Sequence, residues 1–317
     1  TLTGNITSTT GSVIYNEDNA NLVLDKMILN INKAGTSSSY IDGITNNGTL
    51  TIKENTTINN NVQYANGVSN NKLGKINTSS GLINVTSAHA RGVYNASYIK
   101  STIDGININL SNNNSYGITE YSKADALISN ITITGIGKGI NVEETNRTVT
   151  LENNNITGYD NLFIGKSTNV VVNVNSGTFN ASDYALGMYN STSGTINING
   201  GKINSTNNGV YIFDNTTSSI VNISGGLLKV TSNGIYGNSA NVNMTGGRIE
   251  TTSTNYDAMY FTRSNVTVTG GSIYHKGGSA IYNNHGTLNI SGTFEIDENS
   301  TGYGISTNNG TTDMNGD

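Results

Sequence analysis

One short phrase recurs through the C-terminal half of the sequence and limits the folds that the chain can adopt. Apolar residues alternate with Asn or Thr and the phrase ends in two glycines: ININGG (196–201), VNISGG (221–226), VNMTGG (242–247) and VTVTGG (266–271). A fifth version, LNISG (288–292), keeps the pattern. The alternation predicts a short strand with one buried face, and the glycine predicts a turn with left-handed backbone. Repetition at one interval predicts a stack of coils.

Three apolar series recur at this interval. The first takes the second apolar residue of each phrase, runs from Leu24 to Met314 and has a mean step of about 24 residues. The second is out of phase and consists of Ile44, Val68, Val93, Ile118, Ile140, Phe163, Leu186, Val210, Ile235, Met259, Ile281 and Ile305. The third follows the glycine turn and includes Phe179, Ile203, Leu228, Ile249, Ile273 and Phe294. Each coil is therefore expected to carry three strands, each paired in parallel with its equivalent one coil away.

These patterns predict an all-β fold, a right-handed parallel β-helix (β-solenoid) with three strands per coil, about 24 residues per coil and roughly 12 coils. The right hand is expected because left-handed coils repeat tightly in hexapeptides, whereas this repeat is longer and irregular. We expect a single β-helix segment over residues 1–317. We also expect an excised fragment of a longer chain, because residues 311–316 begin another copy of the phrase.

The composition argues against several classes of function. The chain has 55 Asn and 38 Gly but no Cys, which excludes disulfides, thiolate metal sites and thiol nucleophiles. His275 and His285 are separated by less than one coil, so we expect them on different strands and predict no metal site. No cofactor is expected either. The net charge of -5, without a basic stripe, argues against nucleic acid. The apolar runs are too short to cross a bilayer, so we expect no membrane insertion by this segment.

Asparagine has a structural use in such a stack. Asn175 and Asn199 fall at the same turn in adjacent coils. Amide side chains one coil apart can donate and accept along the axis of the stack. We therefore expect an asparagine ladder at this turn.

Four tyrosines are the first candidates for a binding surface. Tyr211, Tyr236, Tyr260 and Tyr282 each follow an inward residue of the second series and should point outward. Rings in successive coils would form an exposed aromatic column, which suits stacking on sugars or contact with a protein partner. The alternative is purely structural, because aromatic residues paired across neighbouring strands stabilise a sheet.

Carboxylates are the second candidates, because polysaccharide lyases and hydrolases with a β-helical fold carry acidic residues on neighbouring coils. Asp160 and Asp183 each lie three residues before a second-series residue, which would place them one coil apart. Two carboxylates at that spacing would raise one pKa, as acid and base catalysis requires, or bind a cation. The alternative is a pair of solvated turn residues.

A looser charged group is expected only to keep its face soluble. It comprises Glu120, Glu143, Glu144, Arg147 and Lys166.

The repeat style carries a family resemblance. Phrases such as GTININGG (194–201) and NGTLTI (47–52), rich in Asn, Thr and Gly and recurring over the whole chain without cysteine, resemble the passenger of a type V autotransporter. The abundance of Asn, Thr and Ile is similar to the large adhesive autotransporters of fusobacteria. The resemblance implies type V secretion, with a C-terminal membrane barrel that exports the passenger and anchors it at the bacterial outer membrane. The segment would then lie on the cell surface or be released.

The leading hypothesis is a rigid segment of a bacterial surface adhesin with a role in virulence and no enzymatic activity. Its partners would be a host cell-surface glycoprotein or glycan, or the surface of another bacterium, and the segment would be monomeric. Attachment would use extended faces or loops such as 36–44 and 112–123. The alternative is a β-helical polysaccharide lyase or hydrolase, acting on a surface glycan and centred on Asp160 and Asp183.

Overall fold

The computed structural model describes residues 1–165, 167–189, 193–213 and 219–315, without the side chains of Thr78 and Ser79. The chain divides into two compact units, unit 1 (Thr1–Leu162) and unit 2 (Phe163–Asp317). The described residues of both units form strands joined by turns and bends. They contain no helix, and therefore none that could cross a membrane.

Unit 1 is a parallel β-solenoid whose strands form three stacks. The first stack consists of β2 (Ile14–Asn16), β4 (Ile41–Asn46), β7 (Ala65–Lys72), β10 (Arg91–Ser97), β13 (Tyr116–Glu120) and β16 (Lys138–Val142). The second consists of β3 (Asn21–Ile31), β5 (Thr49–Lys53), β8 (Lys75–Ser79), β11 (Ser101–Asp104), β14 (Ala126–Ser129) and β17 (Thr145–Glu152). β3 continues into the third stack, and β1 (Leu2–Ser8) pairs mainly with this second half of β3. The third consists of β6 (Thr57–Asn60), β9 (Leu82–Val85), β12 (Asn107–Leu110), β15 (Thr132–Gly135) and β18 (Asn154–Gly158).

Unit 2 repeats the same arrangement. Its first stack consists of β22 (Leu186–Tyr189), β25 (Val210–Phe213), β28 (Ile235–Asn238), β31 (Met259–Thr262), β33 (Ser279–Asn284) and β35 (Tyr303–Asn308), and β19 (Leu162–Gly165) is a strand of the same kind at the boundary. The second consists of β20 (Thr168–Val174), β23 (Ser193–Ile198), β26 (Ser219–Ile223), β29 (Ala240–Met244), β32 (Asn265–His275), β34 (Thr287–Ile296) and β36 (Thr311–Met314). The third consists of β21 (Gly177–Ala181), β24 (Lys202–Ser205), β27 (Leu227–Val230) and β30 (Arg248–Thr251).

Strands pair in parallel with their equivalents one repeat away. In the first stack Val210 pairs with Ile235 and Ile235 with Met259. In the second stack Ile198 pairs with Ile223. Thirteen strands of the first-stack type occur among the described residues, which corresponds to about 13 turns at intervals of about 24 residues. The predicted all-β parallel solenoid and its interval are therefore confirmed, whereas the right hand of the coil stays a prediction.

The alternation of the repeated phrase explains which side chains form the core. In β23, Ile196 and Ile198 are fully buried and Asn197 between them is half-buried. Successive side chains of a strand point to opposite faces, so each strand needs only two or three inward residues to fill a narrow coil. This is how a chain with 34% hydrophobic residues closes a continuous core.

The predicted left-handed turns lie at the glycines that end the phrases. The φ angles are +88° at Gly201, +83° at Gly226, +81° at Gly247, +93° at Gly271 and +74° at Gly292. Where two glycines are present, the second one adopts the left-handed conformation. The predicted left-handed turn is confirmed at each copy. The strand stops there in the first three copies, whereas β32 and β34 continue through the turn.

The strands predicted for each coil remain separate in some repeats and join in others. In one repeat β25, β26 and β27 are distinct strands. In contrast, β32 pairs with β29 through its first half and with β30 through its second half, so it runs through the turn without a break. A left-handed glycine therefore does not prevent strand pairing on both sides of the turn.

One marker of the second series and one of the third were assigned to the wrong residue. Leu162 and Ile164 are buried and Phe163 is half-buried, so Leu162 is the inward marker of that coil. In the last coil Ile273 pairs with Ile296, and Phe294 pairs with Gly271. At residues 162–164 the shift is by one residue, which turns the strand over, and three consecutive apolar residues give no local signal for either choice. At Phe294 the shift is by two residues, which keeps the face of the strand but changes its pairing.

Candidate functional site

The four predicted tyrosines form one column, which we call the tyrosine ridge: Tyr211, Tyr236, Tyr260 and Tyr282. Each follows a fully buried residue and is itself half-buried, as alternation along a strand requires. They pair in register, Tyr211 with Tyr236, Tyr236 with Tyr260 and Tyr260 with Tyr282. The parallel ladder therefore places one phenol ring on each of four successive coils.

The rings of the tyrosine ridge stack face to face. Centroid distances are 5.1 Å, 5.2 Å and 5.2 Å along the column, with interplanar angles of 18°, 7° and 15°. Tyr236 and Tyr260 have a ring on both faces, so they present their edges outward instead of their π-faces. Burial raises the pKa of Tyr211 and of Tyr236 above the ordinary tyrosine value. The ridge is therefore a continuous strip of ring edges.

Further aromatic residues widen the ridge near Tyr211 and were not predicted as part of it. Tyr184 stacks on Tyr211 at 4.3 Å and 15°, and Tyr189 lies 5.2 Å from Tyr211. Phe163 lies 5.1 Å from Tyr189, and the exposed Phe213 lies 6.3 Å from Tyr211. Tyr189 and Phe213 each come three residues after an inward marker, so strand alternation could have identified them as outward residues.

The two predicted acidic residues do not occupy the same position in the repeat. Asp160 lies two residues before the inward Leu162, whereas Asp183 lies three residues before the inward Leu186. Asp160 is buried and its Oδ2 lies 3.8 Å from the Nζ of Lys138. The sequence suggested an acidic pair because both aspartates lay three residues before a residue taken as inward. For Asp160 that residue was Phe163, whereas the inward residue is Leu162. The catalytic interpretation therefore loses its main sequence argument.

Asp183 has a structural partner of its own. The Asn207 side chain donates from Nδ2 to Asp183 Oδ1 at 2.7 Å. Asn207 lies three residues before the inward Val210, the position that Asp183 has relative to Leu186. Asp183 thus belongs to a side-chain ladder between neighbouring coils.

The charged group that was expected to keep a face soluble is largely internal, which corrects that prediction. Glu120 and Arg147 have fully buried side chains and form an ion pair of 2.6 Å between Nη1 and Oε1. Arg147 also donates to the carbonyl oxygens of Glu120 and Glu143. Glu144 forms a more exposed ion pair with Lys123 at 2.6 Å. Lys166 lies outside the described residues.

Glu120 ends a buried ladder of asparagines that runs through the first stack of unit 1. Asn16 donates to Asn46 at 2.7 Å, Asn46 to Asn70 at 2.7 Å, and Asn70 to Asn95 at 2.8 Å. Asn95 then donates from Nδ2 to Glu120 Oε2 at 2.6 Å. The expected use of asparagine is confirmed at the turn of unit 2 as well, where Asn199 donates to Asn175 at 2.9 Å.

Metal ligation has no evident site in the part of the chain that the structure describes. No three His, Asp or Glu side chains in these residues converge closely enough to hold a metal ion. His275 is buried at the end of β32 and His285 is exposed in the turn after β33.

Comparison with known proteins does not indicate a function, so the function is inferred from the geometry. The sequence matches no protein-family model and no curated protein.

Proposed function

We propose that the chain is a rigid, cell-surface segment of a bacterial adhesin of the autotransporter type, and that the tyrosine ridge is its contact surface. The observation that supports this function best is the ridge itself, a row of half-buried rings held in register by the parallel ladder. Aromatic side chains are enriched at the centres of protein interfaces because they bury a large area at a small cost in conformational entropy. A rigid sheet holds them in place before a partner binds.

The alternative enzyme function receives less support. A parallel β-solenoid is compatible with a polysaccharide lyase or hydrolase, but Asp160 and Asp183 occupy different positions in the repeat. The tyrosine ridge, by contrast, is periodic and continuous over four coils.

The proposed setting follows from the resemblance of the repeat to type V passengers. Export through a C-terminal barrel would anchor the segment at the outer membrane, where it faces host cells or other bacteria. A host glycoprotein, a glycan or a partner bacterial surface would contact the ridge. Because the ring faces are largely covered within the column, the partner would contact ring edges and hydroxyl groups.

Binding of the purified chain to cells tests the proposal. Fluorescently labelled protein is measured by flow cytometry on epithelial cells and on other bacteria. The variant that replaces all four ridge tyrosines by Ala is expected to bind at least about tenfold more weakly, because clustered aromatic anchors contribute on the order of 2 kcal/mol each when truncated. Circular dichroism checks that the variant remains folded.

The matched control replaces four exposed tyrosines outside the ridge by Ala: Tyr15, Tyr98, Tyr256 and Tyr303. This control variant should bind like the unaltered chain. The proposal would be wrong if the folded ridge variant retained full binding, or if the unaltered chain bound none of the cells.

A further inference from the structure

Arg91 of unit 1 is held between two aromatic rings. It begins β10, and its guanidinium carbon lies 4.1 Å from the ring centroid of Tyr40 and 4.9 Å from that of Tyr94. Both distances are within the range of cation–π attraction. The rings flank a delocalised cation that prefers planar contacts.

The two rings are themselves supported by other rings. Tyr64 contacts Tyr40 edge-on at 5.7 Å and stacks on His89 at 5.1 Å and 3°. Tyr94 stacks on Tyr121 at 5.9 Å and 26°. We call this set the Arg91 clamp: Tyr40, Tyr64, His89, Arg91, Tyr94 and Tyr121. The clamp fixes the guanidinium group before any ligand is present.

Arg91 has no anionic partner among the described residues. Arg147 and Arg248 form ion pairs of 2.6 Å to 2.7 Å with carboxylates, whereas no described carboxylate lies within ion-pair distance of Arg91. In addition, the Nε of Arg91 is buried without a hydrogen-bond partner. Charged donor groups are usually satisfied in folded proteins. The two terminal Nη groups of Arg91 donate to no described residue and, unlike Nε, are not buried, so they are available to an external acceptor.

The acidic residues near the clamp have other partners. Asp42 accepts from Asn66 at 2.8 Å through Oδ1 and from Thr45 at 3.1 Å through Oδ2. Burial raises the pKa of the Asp42 carboxyl, and its hydrogen bonds and the charge of Arg91 only partly oppose this effect.

Two glutamates near the clamp are occupied as well. Glu143 accepts from Asn141 at 2.9 Å, and Glu144 pairs with Lys123 at 2.6 Å. Of the cations nearby, Lys138 lies 3.8 Å from an Asp160 oxygen, whereas no described carboxylate lies within ion-pair distance of Arg91.

We propose that the Arg91 clamp binds the carboxylate of an acidic sugar. The carboxylate would accept two parallel hydrogen bonds from the guanidinium, a geometry that arginine provides and lysine does not. The half-buried tyrosines and the exposed His89 border this point and offer apolar edges and polar groups to the rest of the sugar. The site requires no contribution from the tyrosine ridge, which belongs to unit 2.

Calorimetric titration of the whole chain with defined sugars tests this assignment. The probes are sialyllactose and a glucuronic-acid disaccharide, compared with lactose, inorganic phosphate and inorganic sulfate. The carboxylated sugars should bind, and lactose should bind at least about tenfold more weakly, since a bidentate charged hydrogen bond typically contributes more than 1.4 kcal/mol.

Three variants locate the binding. Arg91→Met should weaken binding of the carboxylated sugar at least about tenfold, and Arg91→Lys should also weaken it, because lysine retains the charge without the planar donor group. Arg263→Met is the matched control, because Arg263 is an exposed arginine of unit 2, and it should bind like the unaltered chain. Circular dichroism verifies that each variant is folded.

Three results would overturn the proposal. The first is that neither carboxylated sugar binds the unaltered chain. The second is that folded Arg91→Met binds as tightly as the unaltered chain. The third is that phosphate or sulfate binds as tightly as the sugars and displaces them, which would show a general anion site. None of these results depends on the adhesion of cells through the tyrosine ridge, so the two proposals fail separately.

Discussion

At the scale of single residues, the left-handed glycine at the end of each phrase determines how the chain leaves the second stack. At Gly226 φ is +83°, and a Cβ placed there would lie 3.0 Å from the Gly200 carbonyl group and 3.0 Å from the oxygen of Gly201. A side chain would therefore meet both an unfavourable backbone conformation and the turn of the preceding coil. The close approach of equivalent turns explains why the phrase ends in glycine.

Replacement of this glycine should destabilise the fold. We expect Gly226→Ala to lower the free energy of unfolding by about 1–3 kcal/mol, since residues forced into sparsely populated φ and ψ regions cost that much. Gly11→Ala is the control, because a Cβ at Gly11 would meet no atom within 4 Å and its φ is not positive. Urea unfolding of both variants measures the difference. Equal midpoints for the two would contradict the explanation.

At the scale of structural elements, asparagine ladders connect strands of adjacent coils, and they differ in burial. In the buried ladder of unit 1, Asn70 donates to Asn95 at 2.8 Å and to the carbonyl of Gly74 at 2.9 Å. In a half-exposed ladder on the outside of the third stack, Asn84 donates to Asn59 at 2.9 Å. The side-chain geometry is the same, but water can replace only the outer bonds.

Truncation of one amide in each ladder should therefore have unequal effects. We expect Asn70→Ala to lower the free energy of unfolding by about 2–3 kcal/mol, because it removes the amide donor to Asn95 Oδ1 inside the solenoid. Asn84→Ala should cost less than about 1 kcal/mol. Both values are measured by urea unfolding under identical conditions. The interpretation fails if the two variants lose the same stability.

At the scale of the whole molecule, the pairing of each strand is confined to its neighbours along the stack. The register of β28, for example, involves only β25 and β31. In such a repeat fold, stability is approximately a sum of terms for single repeats and for adjacent pairs. A local defect should then loosen nearby coils first.

The buried ion pair of unit 1 provides a test of this locality. Arg147→Met leaves Glu120 as a buried charge without its partner, which typically costs about 3–5 kcal/mol. Hydrogen exchange followed by mass spectrometry should show loss of protection in β13 to β18, with β28 to β33 unchanged. The double variant Glu120→Gln with Arg147→Met should recover much of the lost protection, because it contains no uncompensated charge. A uniform loss of protection along the chain would refute the nearest-neighbour description.

Much of this architecture could be predicted from the sequence. The alternation of apolar and polar residues identified the inward Ile196 and Ile198, and the spacing of the phrases predicted the parallel pairing. The outward column of Tyr211 and its equivalents followed from the same alternation. These features depend on the period of two residues within a strand and on the interval between coils, both of which are written along the chain.

Other features could not be predicted because they depend on turns of variable length. The apolar run of Leu162, Phe163 and Ile164 fits either face of a strand, and packing within the coil selected Leu162. The wrong choice produced the apparent pairing of Asp160 with Asp183. Here the local pattern was ambiguous, and only the register of the coil resolved it.

What the sequence determines by itself is the repeating element: which residues form strands, which point inward and where left-handed turns are needed. The tertiary structure decided which side chains from different coils meet. It placed Arg147 against Glu120 inside the solenoid, and it placed Arg91 between Tyr40 and Tyr94 on its outside. The physical reason is that alternation is a local property of the backbone, whereas these contacts depend on how irregular turns position residues far apart in the chain.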